Sequence, residues 1–218
     1  MTGASHSVAK GDLNNDGFYD IISYNDNLED PYLWLNSGGT NNYIKLTLEG
    51  TTSNYNAIGA QIRVFANGNQ YIKSVYSVEN YIAQNSQHII FGLGQAQVVD
   101  SIRVLYPSGK LDKYYNVNVN EHHYLIEGET SSIQVQYIGD SIFCDNSNAT
   151  LFINTPDSLT WNNNDDSTHI SINTSGSYYA MIHQPGFSFF TDTVQLQFST
   201  MPQIFENIEG ASCADLAD

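Results

Sequence analysis

Between Gly11 and Ile22 the chain reads Gly-Asp-Leu-Asn-Asn-Asp-Gly-Phe-Tyr-Asp-Ile-Ile, and few loops are so narrowly specified by their spacing. Asp12, Asn14, Asp16 and Asp20 stand at loop positions 1, 3, 5 and 9. Gly17 stands at 6, where the turn is sharpest, and the carbonyl of Phe18 falls at 7. These are the hard oxygen ligands, in the order, that Ca²⁺ takes. Carboxylates drawn within a few Å of one another repel by about 4 kcal/mol per pair at an effective dielectric of 20. The loop is therefore expected to close around a structural calcium ion; the other reading of the same residues is a metal-free Asn/Asp turn. An EF-hand is excluded by Ser23 at position 12, where a bidentate Glu belongs, and by the β-prone run Ile21-Ile22-Ser23-Tyr24.

On these residues, and on Leu33-Trp34-Leu35-Asn36 after them, the stretch from about 7 to 38 resembles an FG-GAP (VCBS-type) repeat. The resemblance implies a calcium-loop β-hairpin from a propeller blade. A single half-blade cannot bury its own face. The sequence is thus expected to be part of a longer secreted protein whose export signal lies upstream, because Met1 to His6 lacks a basic, apolar leader pattern.

Charge narrows the partners. Seven Lys and Arg stand against 23 Asp and Glu, a formal charge of −16, with no basic cluster for nucleic acid or an anionic membrane. No apolar run approaches the ~18 residues of a spanning helix. The 15 tyrosines indicate a packed chain rather than a disordered one. Cys144 and Cys213 carry no motif and are left open between one disulfide and two unpaired thiols.

Period-two alternation recurs throughout. Ile44, Leu46 and Leu48 alternate with Tyr43, Lys45, Thr47 and Glu49; Ile102, Val104 and Tyr106 repeat the pattern, as do Val194, Leu196 and Phe198. No helical period is sustained, so the fold class expected is all-β, with sandwich-type domains after the hairpin.

From Asn42 to about Gly128, eight snippets follow in order: Asn42-Tyr43-Ile44-Lys45-Leu46, Gly50, Ser53-Asn54, Ala57-Ile58-Gly59-Ala60, Ser86-Gln87, Phe91-Gly92-Leu93-Gly94, Val99-Asp100 and Tyr106-Pro107-Ser108-Gly109. In order and rough spacing they resemble the ASPIC/UnbV domain found after FG-GAP repeats. Two departures are Tyr106, where Trp usually leads the turn, and Gln70-Tyr71-Ile72-Lys73, where a Gln-x-Arg element is usual. The resemblance implies an accessory extracellular domain without catalytic residues. Physically, Gly59, Gly92 and Gly94 read as positive-φ or close-approach positions, Pro107-Ser108-Gly109 as a turn, and Ser53-Asn54 as a loop closer.

Beyond Gly128, six short strand-like runs from Asp140 to Gln195 resemble the immunoglobulin-like (PKD-like) modules of secreted Bacteroidota proteins. That resemblance implies a second sandwich with Trp161 in its core and Gly176-Ser177-Tyr178-Tyr179 leading into a late strand. The organisation expected is a partial repeat over 1–40, a sandwich over 41–128, another over 129–200, and a tail over 201–218.

Catalytic constellations find little support. His122-His123 point to opposite faces of a strand and cannot share a metal without a bulge. Ser86 and Ser108 lack a nucleophile setting. Asp165-Asp166 reads as a solvated turn, Asp26, Glu29 and Asp30 as an acidic loop, and the triplets at Asn148 and Asn173 as chance sequons. The function expected is a non-catalytic, calcium-binding extracellular module for adhesion to a protein or glycan surface. The alternative is a carbohydrate-binding appendage of a secreted polysaccharide-degrading enzyme.

Overall fold

The computed structural model describes residues 5–25, 30–139, 142–144 and 147–199. The all-β expectation holds: among these residues the elements are strands and one three-residue 3-10 turn, Glu129–Ser131. The chain divides into two units, one of residues 1–130 with 185–188, the other of 131–184 with 189–218. The expected tail 201–218, with Cys213, and Asp26 and Glu29 of the expected loop Asp26, Glu29 and Asp30 lie outside the described residues.

In the first unit, β1 (Ser5–Gly11), β2 (Asp20–Asn25) and β3 (Tyr32–Trp34) form an antiparallel sheet with the acidic loop of Asp12, Asp16 and Asp20 between β1 and β2. Two further sheets enclose the core. One places β4 (Asn42–Glu49) between β7 (Ile89–Gly94), antiparallel, and β10 (His122–Ile126), parallel. In the other, β5 (Gln61–Ala66), β6 (Asn69–Ser74), β8 (Val98–Leu105) and β9 (Leu111–Asn118) run in the order β9-β8-β5-β6. Alternation does the sorting. Ile44, Leu46 and Leu48 of β4 face Ile62 and Val64 of β5, Ile102 and Val104 of β8 and Tyr114 of β9, all buried. At the turn, buried Tyr106 sends its hydroxyl to the Leu125 carbonyl at 3.2 Å, a bond the more usual Trp could not make in the same way.

Buried Glu127 closes the end of this sandwich. One carboxylate oxygen accepts the N–H groups of Thr51, Thr52 and Ser53 at 2.7–2.8 Å, and the other accepts the hydroxyls of Ser53 and Ser108. Ser53 therefore serves Glu127, while Asn54 does the expected local work, its Oδ1 accepting the Ile58 N–H at 2.8 Å. Gly59 and Gly94 have positive φ as expected. Gly92 does not, and a Cβ there would meet nothing within 4 Å, so neither reason given for glycine applies to it.

The second unit contains β11 (Gln136–Ile138), β12 (Ile142–Cys144), β13 (Ala149–Phe152), β14 (Ser158–Trp161), β15 (His169–Ile172), β16 (Gly176–Tyr178), β17 (Ala180–Gln184) and β19 (Val194–Ser199); β18 (Phe187–Phe190) gives its last two residues to this unit. Sheets β11-β13-β15 and β12-β19-β16, with the pair β14-β17, bury Leu151, Leu159, Ile182, Phe189 and Leu196. Trp161 is in that core as expected, its indole N–H donating to the Ser167 carbonyl at 2.8 Å. The Tyr178 hydroxyl donates back to the Thr174 carbonyl at 2.8 Å, the kind of return bond that ties corners in immunoglobulin-type sandwiches. Asp165 sits in the solvated turn expected of it, accepting the Ser167 N–H at 2.8 Å, which draws its carboxyl below the ordinary value.

Burial acts to raise the Glu127 carboxyl, but the Ser108 hydroxyl, the Ser53 and Thr52 amides and the Ser53 hydroxyl outweigh it and hold it at about 2. A carboxyl lowered from the ordinary 4.5 stabilises the fold above that pH and loses its contribution as pH falls towards 2. The Glu127→Gln variant is expected to unfold more readily at pH 7 and to show a flatter decline in stability over that window. Parallel urea-denaturation profiles for the two proteins from pH 5 to 2 would refute this.

Candidate functional site

The acidic loop folds by hydrogen-bonding its own backbone. Asp12 accepts the Asp16 N–H at 3.0 Å on one oxygen and the Gly17 N–H at 3.1 Å on the other. Asn14 Oδ1 accepts the Asp16 N–H at 3.2 Å, and Asp16 accepts the Phe18 N–H at 2.9 Å. Buried Asp20 ties the loop at both ends, taking the Leu13 N–H and the Asn36 N–H, each at 2.8 Å. Such side-chain-to-backbone bonds are what short Asx residues offer a tight turn. Gly17 has φ +87°, and a Cβ there would lie 2.0 Å from Tyr43 Cε1, so no other residue fits. The Phe18 ring packs on the same tyrosine, centroids 6.3 Å apart.

Against this loop lies Lys45, and its position is the main surprise. Alternation on β4 places Lys45 on the face away from the sandwich core, which for a lysine suggests solvent. Its side chain is instead 4% exposed and ion-paired with Asp12, itself 1% exposed, while its ammonium also donates to Asn15 Oδ1 at 3.2 Å. The outer face of β4 is a floor on which the loop sits. Sequence reasoning missed this because the partners are some 30 positions apart; the one available signal was a lysine within a strand of an otherwise base-poor chain.

The structure thus gathers Asp12, Asn14, Asp16, Phe18 and Asp20 into one loop, with neither Asp12 nor Asp20 splayed into solvent. Among the described residues no three His, Cys, Asp or Glu side chains converge on a common metal position. The donor chemistry still suits a hard divalent cation. Every donor is an oxygen, and three carboxylates against the single Lys45 ammonium leave two negative charges, with the Asp12 and Asp20 side chains buried, Asp16 half-buried and Asn14 open to solvent.

The histidines divide as strand geometry requires. His123 is buried on the core side, and His122 lies on the other face, where its Nε2 and His88 Nδ1 each approach Thr47 Oγ1 at 2.7 Å. Partial burial, then the neighbouring His88 and Lys45, lower the His122 pKa. His88 went unnoticed because it falls between motifs.

Comparison with known proteins bears on the middle of the chain. Residues 50–132 match the ASPIC and UnbV family model. The strand β4, just before that ASPIC and UnbV segment, nonetheless supplies the central strand of its three-stranded sheet. No curated protein matches the chain. Among solved structures, murine CEACAM1b is similar at 10% identity and TM-score 0.27, covering 72% of this chain and 100% of that one. The N-terminal four Ig domains of Dscam1 isoform 8.4 are similar at 11% identity and TM-score 0.27, covering 84% of this chain and 56% of that one. Similarity at that level adds nothing to the fold already read from the strands.

Breaking a buried ion pair from one side strands the other charge at a cost of about 3–5 kcal/mol. In chelator, Lys45→Met is expected to lower the unfolding free energy by that amount, and adding Asp12→Asn to recover much of it. A loss under about 1 kcal/mol in urea denaturation would show that the pair is not buried in solution.

Proposed function

We propose that the chain is a calcium-stabilised, non-catalytic binding module that works outside the cell. The observation that carries the reading is the all-oxygen loop seated on the buried Lys45 side of β4. Asp12, Asn14, Asp16 and Asp20, with the Phe18 carbonyl, would hold the ion. Calcium would supply the countercharge that the single lysine leaves wanting, and so fix β1 and β2 against the sandwich. Lys45 limits the local negative charge, which suits the weak calcium affinity of extracellular modules rather than the tight binding of cytosolic buffers.

Supporting the extracellular assignment are the ASPIC and UnbV match over residues 50–132 and the resemblance of the flanking segments to repeats and sandwiches of secreted proteins. Among the described residues, no helix is long and apolar enough to cross a membrane. Two sandwiches of short strands, with turns crowded at their ends, are a scaffold for presenting a surface, and adhesion to a protein or glycan is the role that fits such a scaffold.

The measurement is a thermal melt in calcium and in chelator. For a dissociation constant of 10⁻⁴ to 10⁻³ M, ~10 mM calcium adds about 1.4–2.7 kcal/mol and raises the melting temperature. Asp16→Ala is expected to abolish the increment. An unchanged melting temperature in the parent protein rejects the calcium.

A further inference from the structure

Beside the acidic loop, on the first unit, a cleft of about 370 Å³ opens between β1, β6 and the segment after it. Lys10, Tyr19, Lys73, Ser74, Tyr76 and Glu79 line it. In a chain with seven basic residues and a charge of −16, two of the seven meet here. Both ammoniums lie against the Tyr19 ring, at 5.5 Å for Lys10 and 5.7 Å for Lys73, and Lys73 also lies 5.1 Å from the Phe91 ring.

The floor is fixed. The Tyr19 hydroxyl accepts the Ile90 N–H at 3.0 Å and donates to the His88 carbonyl at 3.3 Å, so the ring cannot swing away. Lys73 is anchored by a hydrogen bond to the Ile90 carbonyl. The rim is fixed too. Ser7 donates to the Tyr81 carbonyl at 2.7 Å, Asn80 to the Val8 carbonyl at 2.6 Å, and the Lys10 N–H to Asn85 at 3.0 Å, pinning the segment to β1. At its tip Ile82 has φ +55° and is 76% exposed. A β-branched residue in that conformation is strained, and strain of this sort gathers at binding sites.

The charges define a ligand. Lys10 pairs with Glu79 at 3.6 Å, whereas Lys73 has no carboxylate within ion-pair distance among the described residues. Two ammoniums and one carboxylate leave one positive charge uncompensated, which matches a monoanion better than a phosphate dianion. Partial desolvation and then the Lys10 charge lower the Lys73 pKa, and the Glu79 carboxylate offsets them only in part. Glu79 Oε2 is already taken by Lys10 and Asn85, so the second Glu79 oxygen and the Ser74 hydroxyl are the acceptors that would be wasted on a bare anion but suit a molecule carrying hydroxyls. Tyr76, 63% exposed, offers an apolar ring face beside them.

From this we infer that the cleft binds a carboxylated sugar, a uronic acid residue of an acidic glycan, with its carboxylate on Lys73 and Lys10, hydroxyls on Glu79 and Ser74, and its ring against Tyr76. The inference rests on the binding role proposed above but not on calcium occupancy. The volume lies in the range of small-molecule sites.

The test is calorimetric titration of the full chain, in calcium, with a galacturonate and a glucuronate trisaccharide, the neutral galactose and glucose trisaccharides, inorganic phosphate, and an acidic peptide. One or both uronates are expected to bind, the other probes at least tenfold more weakly. Lys73→Met and Lys10→Met are each expected to weaken the uronate by about tenfold or more, and Lys113→Met, at an exposed position of β9, to leave it unchanged. Should Lys73→Met misfold, Lys10→Met and Tyr76→Ala, both at exposed side chains, decide the matter. Absence of uronate binding, equal binding of neutral sugar, phosphate or peptide, or indifference to the lysine substitutions overturns the inference. Because the chelator melt reads calcium and this titration reads ligand, failure of one does not imply failure of the other.

Discussion

The pairing of Lys45 with Asp12 is the joint on which the first unit turns. A charge removed from water must be met by another charge and by hydrogen bonds, or the fold around it fails. Here one strand satisfies two neighbours at once. The apolar side chains of β4 fill the sandwich, and the single ammonium between them reaches into the loop between β1 and β2. Once Lys45 is committed to Asp12, the loop has one seat; Gly17 must press on Tyr43, and β1 and β2 follow. The cleft beside them inherits its floor from Tyr19, a residue of that same loop.

Much of the architecture was legible in the residues because it depends on local rules. The period of two in Ile44, Leu46 and Leu48 identified a strand and its buried face, and the core positions of Ile102 and Val104 follow from the same reasoning, whereas the core place of Trp161 is implied by the resemblance to immunoglobulin-like modules. The spacing from Asp12 to Asp20 reads as a calcium loop; its Asx side chains do bond the backbone of one loop between β1 and β2, while the calcium itself belongs to the proposal. The ordered snippets from Asn42 to Gly109 pointed to the ASPIC and UnbV domain, and residues 50–132 match that family model.

The remainder escaped for a physical reason. Lys45, Glu127 and Lys73 owe their roles to partners brought together by tertiary structure, and a polar residue at an alternating position reads as solvent-facing unless its partner is already known. Glu127 is the clearest instance. In sequence it is one carboxylate after a strand, while in space it collects three amides and two hydroxyls from segments some 75 and 19 positions away. Gly92 shows the converse: its place in a family-like snippet suggested a backbone need that its conformation does not have.

The clasp around Glu127 also bears on how the polypeptide is made. Its acceptor lies at the end of the sandwich and most of its donors near the beginning, and the neighbouring β10 docks in parallel beside β4, among the earliest strands of the same sheet. Contacts between such distant positions form slowly, because loop closure precedes any reward. During synthesis the ribosome must therefore release nearly the whole sandwich before its first strands acquire their last neighbour. Until then the edge of β4 stays open to other chains, which gives the nascent protein a hazard of aggregation at that strand that docking of β10 removes.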